Sequence, residues 1–552
     1  MNREQAKQLI KRVFEAPFDK SNFEYFIRNL LNEYEPAPFY LTGAYLKEAF
    51  RDKISKFERI GKYFDSIGKR IDILVVYLKK NTTLNARSTL RNFIAGYLKG
   101  DYGRNSLKDA ALVAFVPPDK DDWRFSLIKI DYTIDENGKV VEEKSPAKRW
   151  SFLVGKNEKS HTAQSQLVSI LENDEVNPSL KELEKAFDVE PVTKEFFEKY
   201  RDLFIRTVDE LDKLVKKNKS IREEFNRKGI NTVDFAKKLL GQIVFLYFVQ
   251  KKGWLGVPKD GKWGDGDRNF LRTLFEKCSK EGKNFFNDDL EYLFYDALNN
   301  ERRDTADPSY HPKFDCKIPF LNGGLFEPIG NYDWKNIDID LPNKLFSNNR
   351  RTKEGDIGDG ILDVFDRFNF TVKEDEPLEK EVAVDPELLG KLYEKFNAIT
   401  PENFYEYKKA LESGKRNEER KFNKKYGVFY TPREIVHYMC QQSLIYYLAE
   451  ELKGKVSKED IEKLILHGEK FLENEEIVTN KGKETRTYGY KLPESIRIHA
   501  KEIDEKLRDV KVVDPAVGSG AFLVGMMTEI VKAREVLSRY IKEGDRTPYH
   551  FK

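Results

Sequence analysis

Val510-Lys-Val-Val-Asp-Pro-Ala-Val-Gly-Ser-Gly-Ala-Phe522 is the stretch whose reading decides the fold of the C-terminal region. Val510 to Val513 is a short apolar run that ends in Asp514, as a buried strand would. Pro515 has no N–H to donate and stops a ladder there. Gly518 and Gly520 permit positive φ and let a ligand approach the backbone closely. Ala521 to Arg539 has helical propensity, with apolar residues at Phe522, Met526, Ile530 and Val531. The pattern predicts strand, glycine loop, helix, with backbone N–H groups and a helix N-terminus beside a ligand at the carboxyl end of a strand. A dinucleotide fingerprint would want a third glycine where Leu523 stands, and a phosphate loop would want Gly-Lys-Ser or Gly-Lys-Thr, which is absent.

Upstream, Tyr426-Gly-Val-Phe-Tyr-Thr-Pro-Arg-Glu-Ile-Val-His-Tyr438 places flat faces at Phe429 and Tyr430 just ahead of a helix start. Thr431 is a candidate cap for that helix, with Pro432 at its first position. Further out, Ile71 to Leu78 and Ala110 to Val116 are apolar runs of strand length, the second stopped by Pro117-Pro118. Phe125 to Ile130 alternates as a strand, Asp135 to Gly138 supplies a turn, and Asn85 to Leu98 has helical spacing. Asp234 to Val249 is apolar over a wide arc and predicts a helix inside a core.

The chain has 552 residues, 39% hydrophobic and 35% charged, with a net charge of +3. That is a globular composition with local rather than global basic surface. Cys278, Cys316 and Cys440 have no paired spacing, which argues against a disulfide framework or a cysteine-rich zinc site and fits a reducing compartment. The N-terminus is charged and amphipathic, unlike a signal peptide, and the apolar run Ile243 to Val249 is too short to cross a bilayer. The expectation is a cytoplasmic protein with no membrane partner.

Asp514-Pro-x-x-Gly-Ser-Gly-x-Phe522 resembles the first motif of the S-adenosylmethionine-dependent amino-methyltransferases that act on adenine in DNA. Tyr426 to Tyr438 resembles the segment those enzymes place before the glycine loop, folded over the methionine end of the donor. The resemblance implies donor binding at Phe429, Tyr430, Thr431, Asp514, Pro515, Ala516, Gly518, Gly520 and Phe522. Leu240 to Leu255 and Ile318 to Pro328 look like the connector of type IIG restriction–modification enzymes. Trp123 to Ser126 and Arg149 to Gly155 look like their N-terminal region. The implied fold class is α/β plus α. It comprises an N-terminal α/β domain (1–175), a mainly helical connector (176–400), and the start of a partial Rossmann-like methyltransferase domain (401–552). Val510–Val513 is expected at the centre of that sheet. The implied function is site-specific DNA methylation in a restriction–modification system, with double-stranded DNA as partner.

The chain departs from the family in one respect. The catalytic motif, Asn- or Asp-Pro-Pro-aromatic, is absent; Pro-Pro occurs only at 117–118, between Val116 and Asp119. The acid that grips the donor's ribose would lie beyond Lys552. A truncated product, or a second polypeptide that completes the enzyme and recognises the target, fits this pattern. Both imply that the chain alone does not methylate DNA. The rival is a non-catalytic DNA-binding or assembly subunit with a vestigial donor site. Type IIG enzymes also carry an N-terminal Mg²⁺-dependent endonuclease. Its candidates here are Asp72 or Asp109 with Glu142-Glu-Lys144. Alternatively, the domain only binds DNA, with Arg87, Arg91, Lys99 and Arg104 at phosphates and Trp123 in packing.

Overall fold

The structure is a computed structural model. It describes residues 1–102, 107–134, 140–142, 147–302, 307–321, 324–372, 378–412, 431–481, 492–518 and 520–541. The chain is mixed α/β and forms two compact units that do not follow it in order. One comprises Met1–Asn32, Trp150–Asp375 and Lys380–Phe429; the other comprises Glu33–Arg149, Glu376–Glu379 and Tyr430–Lys552. The N-terminal strands therefore share a unit with the C-terminal helices, a grouping that a linear division at 175 and 400 does not anticipate.

The first unit is largely helical. The helix expected at Asp234 to Val249 runs over Thr232–Lys251, capped by the Asn231 side chain, which accepts from the Asp234 N–H at 2.7 Å. Leu239, Leu240, Ile243, Val244 and Leu246 are all buried, as the wide apolar arc requires. An aromatic cluster packs along it: Tyr247 meets Phe365 at 5.3 Å and Phe370 at 5.1 Å between ring centres.

In the second unit, five successive strands of a seven-stranded mixed sheet lie in the order β1-β2-β3-β4-β5. They are β1 (Glu35–Thr42), β2 (Ile54–Phe64), β3 (Arg70–Leu78), β4 (Ala110–Val116) and β5 (Asp122–Lys129). Only β3 and β4 pair in parallel, Ile71 opposite Ala110, and helix Arg87–Leu98 lies between them in sequence. The other neighbouring pairs are antiparallel. The runs read as strands at 71–78, 110–116 and 125–130 thus match β3, β4 and β5 to within a few residues. Apolar side chains on both faces of β4 are buried, so it reads as a continuous run without alternation. The Asp135–Gly138 turn lies outside the described residues, although Tyr132–Ile134 and Val140–Glu142 on either side of it pair antiparallel.

From 431 to 541 the described residues form helices and loops and no strand. The main helices are Arg433–Glu451, Lys458–Lys481, Ala500–Asp509 and Ala521–Ser538. They share a core that includes Leu444, Leu448, Ile461, Leu464, Ile503 and Val536. This corrects the expected sheet at 510–513. Val510 to Val513 has no strand pairing, and Val512 and Val513 are 39% and 84% exposed. A strand exists only through a partner for its N–H and C=O groups. Among the described residues of this region, the neighbouring segments are helices whose backbone groups bond internally.

Candidate functional site

The glycine loop is ordered by its own backbone. The Asp514 carboxylate accepts from the Ala516 N–H at 3.0 Å, and the Gly520 N–H donates to the Val517 carbonyl at 2.7 Å. Gly518 and Gly520 have φ of +51° and +80°, the left-handed region the sequence anticipated at both. Among the described residues, a Cβ at Gly520 would meet nothing within 4 Å, and one at Gly518 would meet only the Ala516 carbonyl, at 3.8 Å. No described residue therefore fills the outer side of the loop. Gly520 caps helix Ala521–Ser538 in left-handed conformation, without a side-chain cap bond on the helix's first-turn N–H groups. The second carboxylate oxygen of Asp514 is buried and has no hydrogen-bond partner among the described residues.

The two motifs belong to helices that touch. Gly525 is buried against helix Arg433–Glu451; a Cβ there would lie 2.7 Å from Val436 Cγ1 and 3.5 Å from Cys440 Sγ. Val436 is three residues into its helix and Gly525 four into the other, so each helix begins about 5–6 Å along its axis from the crossing. The Cys440 thiol faces the Phe522 carbonyl at 3.6 Å, and burial pushes that thiol up to about 11. Beside this contact, His437 Nδ1 lies 2.7 Å from Glu529 Oε1, and Gln441 Nε2 donates to Glu529 Oε2 at 3.0 Å. Burial opposes the Glu529 charge, but the hydrogen bond from His437, with Lys532 and Gln441, holds the carboxyl below its ordinary value.

The remaining expected donor residues are placed as follows. Thr431 is half-buried; Pro432 occupies the cap position, so the helix begins one residue later than expected, and the Pro432 carbonyl accepts from the Ile435 and Val436 N–H groups at 2.9 and 3.1 Å. No side-chain cap bond forms there, so Thr431 is not the cap. Phe429 and Tyr430 lie outside the described residues. Pro515 and Ala516 are exposed, and Phe522 is half-buried. The sequence reading missed His437, Gln441 and Glu529. The available signal was a His and a Gln one helical turn apart, with Glu529 set among the apolar Met526, Ile530 and Ala533 of its helix.

The N-terminal candidates fare differently. Asp72 is fully buried, and its oxygens are taken by Arg70 Nε at 2.8 Å, Arg70 Nη2 at 3.0 Å and the Tyr97 hydroxyl at 2.5 Å. Asp109 is held by Lys69 at 2.8 Å and the Arg70 N–H at 2.9 Å. Glu143, Lys144 and the side chain of Glu142 lie outside the described residues, and among those described no group of three acids, histidines or cysteines could hold a metal ion. The Asp72 carboxylate is thus satisfied structurally. Arg91 is buried and paired with Glu379 at 3.1 Å, so it is not a phosphate contact. Arg104 lies outside the described residues, as does the side chain of Arg87. Lys99 is half-buried, and Trp123 is fully buried, as packing requires.

The two connector stretches meet: Lys238 Nζ donates to the Gly324 carbonyl and Gln242 Nε2 to that of Leu325, each at 2.8 Å, beside a largely apolar cavity of about 620 Å³.

The chain is similar to a protein named as a type II restriction enzyme and methyltransferase from Methanocaldococcus jannaschii, with 26% identity over 374 residues. The match covers 64% of this chain and 26% of the relative, so the chain spans about a quarter of that protein's length. No protein-family profile matches the chain, and no solved structure matches it significantly. Among the described residues no helix is long and apolar enough to cross a membrane.

Proposed function

We infer that this chain supplies the methyl-donor half of a DNA methyltransferase in a restriction–modification system of the type IIG kind, directed at the amino group of adenine. The observation that carries this is the open Gly518–Gly520 loop leading into an uncapped helix, packed against the helix that follows Thr431-Pro432. S-adenosylmethionine fits what is present. Its carboxylate suits the first-turn N–H groups of helix Ala521–Ser538, which begins after a glycine that has no side chain to cap them. Its ammonium suits the unpartnered Asp514 oxygen. The bound donor supplies an electrophilic methyl group. The chain's part is to orient it through the loop, Thr431 and Phe522. Double-stranded DNA is the substrate this reading implies, and the likeness to a restriction enzyme and methyltransferase supports it.

The base-holding Asn- or Asp-Pro-Pro-aromatic segment is not among these 552 residues. Methylating an exocyclic amine needs that base out of the stack and its nitrogen in line with the sulfonium. Such positioning is worth about 7–11 kcal/mol of barrier in well-aligned cases. We therefore expect no transfer of labelled methyl to duplex DNA by residues 1–552 alone. Transfer should appear when a polypeptide with the remaining methyltransferase segments is added, and Gly518→Asp should abolish it. Robust methylation by the lone chain would overturn this reading. The surface position of Val512 and Val513 favours one alternative, an assembly subunit with a vestigial donor site. Failure of the completed mixture to methylate would support it.

A further inference from the structure

Resting on that reading of the loop, we propose that Glu529, with His437 and Gln441, is a positioning network that holds the two donor motifs in register. A carboxylate with 3% exposure is an unusual occupant of a helix that otherwise packs through Ala533, Val536 and Leu537. Taking it out of water is costly unless both oxygens are satisfied. Both are, and both partners come from the other motif's helix: His437 at 2.7 Å on one oxygen and Gln441 at 3.0 Å on the other. His437 and Gln441 are one turn apart, so a shift of one helix along the other breaks both bonds together.

Gly525 adds the steric half of the device. Its missing side chain lets Val436 approach to a distance a methyl group would forbid. Close approach fixes the separation of the helices, and the fork of hydrogen bonds fixes their register. Apolar packing alone fixes register poorly, because Val, Leu and Met can slide past one another at little cost. A buried polar group that finds partners in one arrangement only selects that arrangement. Both helices begin within two turns of the crossing, so an error in register there displaces the loop relative to Thr431. Glu529 touches neither the donor nor the reacting methyl; it acts through the helix starts.

The test is donor affinity of the full chain, measured by ligand-detected NMR titration with S-adenosylmethionine, for wild type, Glu529→Ala, Glu529→Gln and Gly518→Asp. Thermal midpoints are recorded alongside, and titrations are run well below each. A misplaced site loses about tenfold or more in affinity, and that is the result expected for Glu529→Ala. Glu529→Gln keeps an acceptor for His437 and, with the Gln441 amide turned over, donates to the Gln441 oxygen, so both bonds survive and affinity should stay within about threefold of wild type. A merely structural glutamate would lower the midpoint of Glu529→Ala and leave the affinity of the folded protein unchanged, which would overturn the proposal. Should Glu529→Ala fail to fold, a Gln441→Ala loss of affinity at unchanged midpoint supports the network, and unchanged affinity overturns it. If Gly518→Asp binds like wild type, or wild type shows no binding, the reading of the loop as the donor site fails. If Gly518→Asp alone loses binding, only the positioning role fails.

Discussion

Ile71–Leu78 and Val510–Val513 carry the same sequence signal, a β-branched apolar run ahead of a turn, and reach opposite ends. The first becomes β3, with β2 antiparallel on one side and β4 parallel on the other; Ile71, Ile73, Leu74, Val75 and Val76 are fully buried. The second pairs with nothing among the described residues and leaves Val513 84% exposed. The acids near the two runs differ in the same way. Asp72 is saturated by Arg70 and Tyr97, whereas Asp514 accepts one backbone N–H and keeps an unpartnered oxygen. A saturated acid is framework; an oxygen with no partner among the described residues, beside the glycine loop, is what the proposed donor site would use. The lesson is that apolar periodicity reports what a segment is suited to, and only its partners decide what it becomes.

The sharpest way to break the comparison is to place a charge in each run. Leu74→Asp buries an unpaired carboxylate at the sheet's centre and should cost about 4–5 kcal/mol or more. Val513→Asp should stay within about 0.5 kcal/mol, as surface changes do. Urea unfolding followed by circular dichroism checks both, and a large loss in Val513→Asp would mean the run is buried after all. Removing the acids comes next. Asp72→Ala strands the half-buried Arg70 guanidinium and the buried Tyr97 hydroxyl and should cost about 2–3 kcal/mol. Asp514→Ala gives up a single hydrogen bond, worth about 1 kcal/mol or less.

A smaller contrast lies between two glycines. Gly525→Ala pushes a methyl into Val436, an overpacking penalty of about 1–2 kcal/mol after the gain in helix propensity. Gly520→Ala meets open space and should lose about 1 kcal/mol, from its left-handed backbone alone. The smallest effect is pH-dependent. Lys108, buried just ahead of β4, has its ammonium pushed down to about 8 by burial, against the attraction of Asp72. Between there and the ordinary 10.5, the unfolded chain holds a proton that the folded chain releases, so stability should rise with pH across that window. Relative to Lys108→Met, the wild type should gain about 1 kcal/mol between pH 8 and 9.5. A flat difference would mean that Lys108 is solvated.

Much of the sheet was legible because β3, β4 and β5 are continuous or alternating apolar runs bounded by prolines and turns. β1 and β2 were not, because Glu35-Pro-Ala-Pro and Lys56-Phe-Glu-Arg-Ile-Gly-Lys mix charge and proline into edge-side strands with register shifts. At the site, the positive φ of Gly518 and Gly520 followed directly from residue type. The His437–Glu529–Gln441 contact did not. It spans 92 positions, and in a helix that also carries Lys532, Arg534 and Glu535, Glu529 reads equally well as a surface residue until its partner helix is in place.

The most direct test of the account is saturation-transfer NMR of S-adenosylmethionine against residues 1–552 and against the Gly518→Asp variant. The open loop and uncapped helix predict transfer to the donor from the wild-type chain, with affinity weaker than micromolar, and its loss when a charged side chain occupies the loop. Equal transfer from both proteins would show that the donor binds elsewhere. Tight, micromolar binding by the wild type would contradict the proposal that residues 1–552 supply only part of the donor site.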